Sequence, residues 1–205
     1  MNDDPDLPEP YLPDLAAPRD VLRKEAAALA VLAEGPLHGL AEALALLYTT
    51  TMRPAFIATT GLGKSSFAAR RLAASLCAIG APALYLHPTD ALHGDMGALA
   101  LAHALIVISR SGKSAETNLL ALQALPTPVI AITEGGTLES LASIVVRLPA
   151  FGEARTDLPL PNVSAAMEGA LCDALVLGLA ELLPDPVKFF RTVHPGGSLG
   201  KELRN

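Results

Sequence analysis

The spacing of apolar positions changes once along this chain. Between Arg19 and Thr50, apolar residues recur with helical spacing in "DVLRKEAAALAVLAEG" and "GLAEALALLYTT". That pattern predicts two amphipathic helices broken at Gly35-Pro36, with Asp20 capping the first and the second lying just after Pro36. After Thr50, short unbroken apolar runs take over. "AFIATT", "ALYLHP", "ALIVISR", "PVIAIT" and "IVVRLP" are strand candidates. Helices are expected over Ser65 to Ile79, over "ETNLLALQAL", briefly over "TLESLAS", and over the long apolar run "SAAMEGALCDALVLGLAELL". Strands that are apolar at every position are buried on both faces. The expectation is therefore an α/β fold, a five-stranded parallel sheet with helices on both sides. Right-handed crossovers make such a sheet doubly wound. No repeat, linker or second domain is read, so residues 19–205 form one domain. The ligand of such a sheet sits outside the strand C-terminal ends. Three segments converge there: the Gly61–Lys64 turn, "HPTDALHGDMG" and "SRSGKSAET".

Composition narrows the picture. Hydrophobic residues make up 51% of the 205 positions, but aromatics only 4%, with no Trp, so Leu, Ala, Val and Ile must build the core. A net charge of −6 and the lack of a basic cluster argue against a nucleic-acid partner. Cys77 and Cys172 lie in apolar helical stretches and read as buried thiols. Residues 1–18 are acidic and Pro-rich, which predicts a flexible arm and is the opposite of a signal peptide. No apolar run is read as approaching membrane-spanning length. A cytoplasmic protein without membrane contact is expected.

"FIATTGLGKSSFAARR" resembles a nucleotide-binding loop but fails its count. A P-loop needs G-x-x-x-x-G-K-[ST], and the position five before Gly63 is Ala58, inside the strand. What remains is a strand end, a glycine turn and a helix start, which attracts anions. Gly63, Lys64 and Ser65 stand at that point. "ISRSGKSAET" carries more information. Ser109, Ser111 and Ser114 surround Gly112, and Thr117 follows one turn on. Hydroxyls, a glycine and bare N–H groups make a cup suited to a phosphate monoester.

"SRSGKSAET" also looks like the phosphate loop of the SIS (sugar isomerase) domain, which has a flavodoxin-like fold. "GLGKSSFAARRLAASLCAIGAPALYLHPTDALHGDMGAL" and the closing "HPGGSLGKEL" resemble stretches of the arabinose-5-phosphate isomerases of that family. The similarity runs from about residue 20 to the end. It implies interconversion of D-arabinose 5-phosphate and D-ribulose 5-phosphate through an enediol, on the route to Kdo, a sugar of lipopolysaccharide. It implies no cofactor.

The resemblance also assigns roles. Lys64 falls on the family lysine after Gly-x-Gly and would hold an oxyanion or polarise a carbonyl. Glu116 falls on a catalytic carboxylate and Glu153 on a second one. Either is a candidate base, whose pKa burial would have to raise. His87 and His93 match histidines tied to substrate and to inhibitory metal, with no required metal implied. Asp95 would fix the loop or a histidine. His194 matches a histidine that reaches a neighbouring subunit's site, implying a homotetramer. Lys113 either touches the phosphate or faces water, and His38 and His103 are structural.

Two features depart from the family. Full-length relatives carry paired CBS domains after the closing motif, whereas this chain stops at Asn205. The family's hydroxyl-rich start of the last long helix is thinned here to Asn162 and Ser164 in "LPLPNVSAAM". Three readings follow: an arabinose 5-phosphate isomerase, an isomerase of another phosphosugar such as a hexulose 6-phosphate, or a non-catalytic module binding a sugar phosphate or CMP-Kdo.

Overall fold

The computed structural model describes residues 14–196 and Gly200. Most of the expected arm, and the closing motif beyond Gly196 except Gly200, lie outside these residues. Five strands form one sheet in the order β2-β1-β3-β4-β5, with every neighbouring pair parallel. The strands are β1 (Phe56–Gly61), β2 (Ala83–Tyr85), β3 (Ala102–Ile108), β4 (Val129–Thr133) and β5 (Ile144–Arg147). The helices are α1 (Ala16–Glu34), α2 (Leu40–Thr51), α3 (Ser65–Ala78), α4 (Pro88–Leu92), α5 (Ala115–Gln123), α6 (Thr137–Leu141), α7 (Val163–Ala180) and α8 (Pro186–Val193). A 3-10 segment spans Asp95–Leu101.

The unbroken apolar strands serve two cores because successive side chains point to opposite faces. Ile57, Ile106, Ile108, Ile130 and Ile132 pack with α1, α2, α3 and α7. Ala58, Leu105, Val107, Val129 and Ala131 face α4, the 3-10 segment, α5 and α6. Aliphatic residues do this work, as the low aromatic content requires.

Several expectations are corrected. The first helix begins at Ala16, so Pro18 lies in its first turn and residues 16–18 belong to the helix rather than to the expected arm. Asp20 is inside α1, paired with Arg23 at 2.9 Å, and Asp14 instead accepts the Ala16 N–H. β2 stops at Tyr85, because Pro88 opens α4. α8 was not anticipated. Cys77 is exposed, its sulfur engaged by the backbone of Ala83, while Cys172 is buried and its thiol pushed up to about 12 by burial. α7 has 18 residues and a mean hydropathy of 1.6, so one helix does reach spanning length. Its apolarity is used in the core, where it packs on α1, α2 and α3.

One backbone contact fixes the serine loop. Gly112 has φ +60° and lies against Gly135, and Gly136 lies against Ser111 and Gly112. A Cβ on Gly112 would fall 1.9 Å from the Gly135 carbonyl oxygen. Leu138 N–H and the Asn118 amide both donate to the Gly112 carbonyl. The loop after β3 is thereby clamped to the loop after β4. Gly112→Ala is expected to lose roughly 2–3 kcal/mol in urea unfolding, through strain at a positive φ and a backbone clash. An unchanged midpoint would show that the clamp yields without loss.

Candidate functional site

Three helices begin at one point on the C-terminal edge of the sheet. Lys64 and Ser65 start α3, Ser114 starts α5, and Ser164 and Ala165 lie in the first turn of α7. All line one cleft of about 220 Å³, together with Ser109, Arg110, Ser111 and Glu168. Helix N-termini present unpaired N–H groups and a positive field, so the cleft suits an anion.

The start of α5 is open to a ligand. No side chain caps it. Ser111 Oγ accepts only the Lys113 N–H, at 3.3 Å, and Ser109 is buried at the strand end. The start of α7 is occupied by the protein's own carboxylate. Glu153 Oε2 accepts the N–H groups of Asn162, Val163 and Ser164 at 3.0, 2.9 and 3.4 Å. Its Oε1 accepts the Ser164 hydroxyl and Arg110 Nη1. Burial works against the charge of Glu153. Hydrogen bonds from Ser164 and from the Asn162 and Ser164 backbone, with the Arg110 charge, outweigh that and hold the carboxyl below its usual range. Arg110 also binds Glu134 at 2.8 Å and the Phe151 carbonyl at 2.9 Å.

Glu168 is the opposite case. It sits one turn into α7 on the cleft wall and is 1% exposed. Its Oε1 accepts the Ser65 hydroxyl at 2.9 Å, and its Oε2 has no hydrogen-bond partner. An unpartnered buried polar atom costs about 1–3 kcal/mol. Burial raises the carboxyl to about 7; the Ser65 hydrogen bond and Arg110 pull it down, and the charges of Glu153 and Glu134 push it up. Sequence reasoning missed this residue. The available signal was an acid four residues after Ser164, on the apolar face of a helix.

The structure divides the expected site residues. Lys64, Ser65, Ser109, Ser111 and Ser114 line the cleft, and Gly63 makes the turn before Lys64 with φ +59°. Lys64 makes no ion pair among the described residues. Gly112 is not among the residues lining the cleft and packs against Gly135. Thr117 is fully buried, and its hydroxyl donates to the Ser114 carbonyl at 3.0 Å, so it closes the helix turn. Glu116 lies in the first turn of α5 but does not line the cleft, and Glu153 supports the wall from behind. His87 and His93 bracket α4, away from the cleft lining, with His87 Nδ1 3.8 Å from Asp90. Among the described residues no three His, Cys, Asp or Glu side chains are placed to hold a metal ion. His194 stacks on Phe190 and its Nδ1 lies 2.8 Å from the Phe190 carbonyl, at the end of α8.

The raised Glu168 carboxyl has a stability consequence. The native state holds this proton more tightly than the unfolded chain, whose carboxyl titrates near 4.5. Stability therefore falls as pH rises from about 4.5 to about 7, and is level above that. The cost above pH 7 is on the order of 3 kcal/mol, from 1.36 kcal/mol per unit. Glu168→Gln removes it. Thermal melts should find E168Q more stable than the parent at pH 8, with the advantage gone at pH 4.5.

Comparison with known proteins agrees with this geometry. The SIS domain family model matches residues 55–176. The arabinose 5-phosphate isomerase KpsF of Escherichia coli is 34% identical over 148 residues, which is 70% of this chain and 47% of that protein. The chain spans about half the length of the curated relatives it matches. Among solved structures, E. coli CFT073 c3406 in complex with A5P has 28% identity and a TM-score of 0.75, covering 86% of this chain and 95% of that one. A Listeria monocytogenes protein described as a candidate sugar-phosphate isomerase has 26% identity and a TM-score of 0.80, covering 89% of this chain and 96% of that one. The glycine-lysine turn, the serine loop and Glu168 all fall within the matched stretch, and the chain belongs to the SIS domain family, as a relative of the arabinose 5-phosphate isomerases.

Proposed function

We infer that this protein is a phosphosugar aldose–ketose isomerase, with D-arabinose 5-phosphate and D-ribulose 5-phosphate as its leading substrate pair. The observation that carries this reading is one cleft lined by Lys64, which makes no ion pair among the described residues, by the serine loop and by an uncapped helix start. The similarity to a protein solved in complex with A5P supports the substrate class.

The phosphate belongs on α5. Of the helix starts at the cleft, α7 is already neutralised by Glu153, whereas α5 offers first-turn N–H groups beside Ser109, Ser111 and Ser114. A phosphate bound there leaves the carbonyl end of the sugar to the rest of the cleft, where Lys64 balances the negative charge that develops on oxygen in an enediolate. Glu116 and His194 do not line the cleft of a single chain. A homotetramer in which His194 reaches a neighbour's cleft is part of this reading, and a monomer mass in light scattering would remove that part.

One observation favours a second reading. Of the four residues that the resemblance makes catalytic, only Lys64 lines the cleft, as a module that binds sugar phosphates without turnover would have it. Proton NMR in deuterated water separates the two. Incubation with arabinose 5-phosphate should yield ribulose 5-phosphate with deuterium at C1 or C2, and Lys64→Ala should lower kcat/KM by roughly 10²–10³-fold. A thermal shift with the sugar phosphate but no exchange at C1 or C2 would leave the binding module.

A further inference from the structure

We propose that Glu168 is the residue that passes the proton between the two reacting carbons, with Glu153 serving as the positioning residue behind it. The inference rests on the isomerase reading above. It comes from the arrangement of the two acids around Arg110. Glu153 has both oxygens filled, by three backbone N–H groups, a hydroxyl and a guanidinium. A carboxylate with so many donors has no lone pair placed to take a carbon-bound proton, and its charge is too well stabilised to make it a strong base. Glu168 lines the same cleft, with one oxygen oriented by Ser65 and the other buried and uncommitted to any partner.

The step balances with these groups alone. The Glu168 carboxylate takes the proton from C2 of the open-chain aldose. The C–H electrons form the C1–C2 double bond, and the C1 carbonyl oxygen becomes an oxyanion facing Lys64. Glu168 then returns its proton to C1. The C2 hydroxyl proton passes to O1, and C2 becomes the ketone. A base shared between the two directions works best when it is half-protonated at the working pH. The desolvated site provides that, with the carboxyl at about 7.

The charged groups around Glu168 are set by its neighbours. Arg110 follows β3, Glu134 follows β4, Glu153 precedes α7, and Lys64 leads into α3. On α1, Lys24 is held by the carbonyls of Glu153 and Ala154, and Glu25 lies 3.5 Å from the Asn162 amide. Ser65 orients the acid as a neutral donor. Its loss should shift the pH profile without removing the proton carrier.

The test uses the full chain with arabinose 5-phosphate in deuterated water, comparing parent, E168Q and E153Q. E168Q is expected to lower kcat by roughly 10²–10⁴-fold while KM stays close to the parent value. The acid limb of the parent's pH–kcat/KM profile, with its midpoint near 7, should be missing from the residual activity. E153Q should act mainly on KM and thermal stability, and keep that limb. Parent-like exchange by E168Q, or an unmoved acid limb, overturns the assignment and leaves the isomerase reading standing. Parent protein that exchanges no C1 or C2 proton of any pentose or hexose phosphate overturns both. An E168Q that melts below the parent at pH 8 removes the buried-acid premise and overturns the assignment as well.

Discussion

Glu153 takes the place of the capping side chain that α7 lacks. Asn162 stands at the cap position but its side chain does not bond the helix; its oxygen instead lies 3.4 Å from the Ala154 N–H. The first-turn N–H groups of α7 go to the Glu153 carboxylate, and that carboxylate is tied to Arg110. Arg110 in turn holds Glu134 and the Phe151 carbonyl. One guanidinium therefore joins the loops that follow β3, β4 and β5, and so fixes the wall of the cleft. Charge-assisted bonds of this kind are among the stronger contacts a protein makes, and a planar donor can hold several at fixed angles. Remove the pair, and the start of α7 loses its anion while Arg110 loses its place in the cleft.

The same hub separates two acids that lie close together. Glu153 keeps its charge because donors surround it. Glu168, on the cleft wall, has one hydroxyl donor, and the charges of Glu153 and Glu134 make ionisation harder still. Two carboxyls driven apart in this way give one fixed anion and one proton carrier, a recurring arrangement in sites that move protons near neutral pH. The stability lost through Glu168 is consistent with a functional origin, since a Gln or an apolar residue at that position would keep the core intact. An isolated burial error would not face Ser65 across a cleft lined by Lys64 and the serine loop.

Much of the fold was legible because parallel strands buried on both faces leave a plain mark. Unbroken apolar runs separated by helical patterns gave the five strands and the doubly wound sheet. The serine loop was legible because hydroxyls, glycine and a helix start crowd into a few residues. What could not be read depends on spacing in three dimensions. α4 and the 3-10 segment lie in "HPTDALHGDMG", where Gly and His suggested a loop but Pro88 starts a helix turn. α8 has eight residues and none is buried; Val187, Phe190 and Val193 do recur at helical spacing, but the run is too short for that period to stand out. Gly112 read as a ligand contact, but its reason is the close approach of Gly135, which lies on another loop. Glu153 read as a candidate base, and its five donors come from Arg110 and the start of α7, which the sequence does not place beside it. Glu168 was overlooked because the apolar character of its helix drew attention to the core and away from the one acid on its buried face.

Cavity size does not choose the site here. A cavity of about 560 Å³ lies at the opposite end of the sheet, lined by Arg53, His103, Thr49 and the Leu125-Pro128 turn. That end holds the N-terminal ends of the strands. Ile79 and Gln123 close α3 and α5 there, and helix C-termini repel anions. The smaller cleft has three helix starts, a lysine with no ion pair among the described residues, and a buried acid whose carboxyl is raised to about 7. Two of those starts fix what the cleft can hold. α7 is filled by Glu153, so a phosphate there would meet a resident negative charge; α5 is empty and flanked by hydroxyls. In the isomerase reading, a phosphorylated sugar lies with its phosphate on α5 and its carbonyl end toward Lys64 and Glu168.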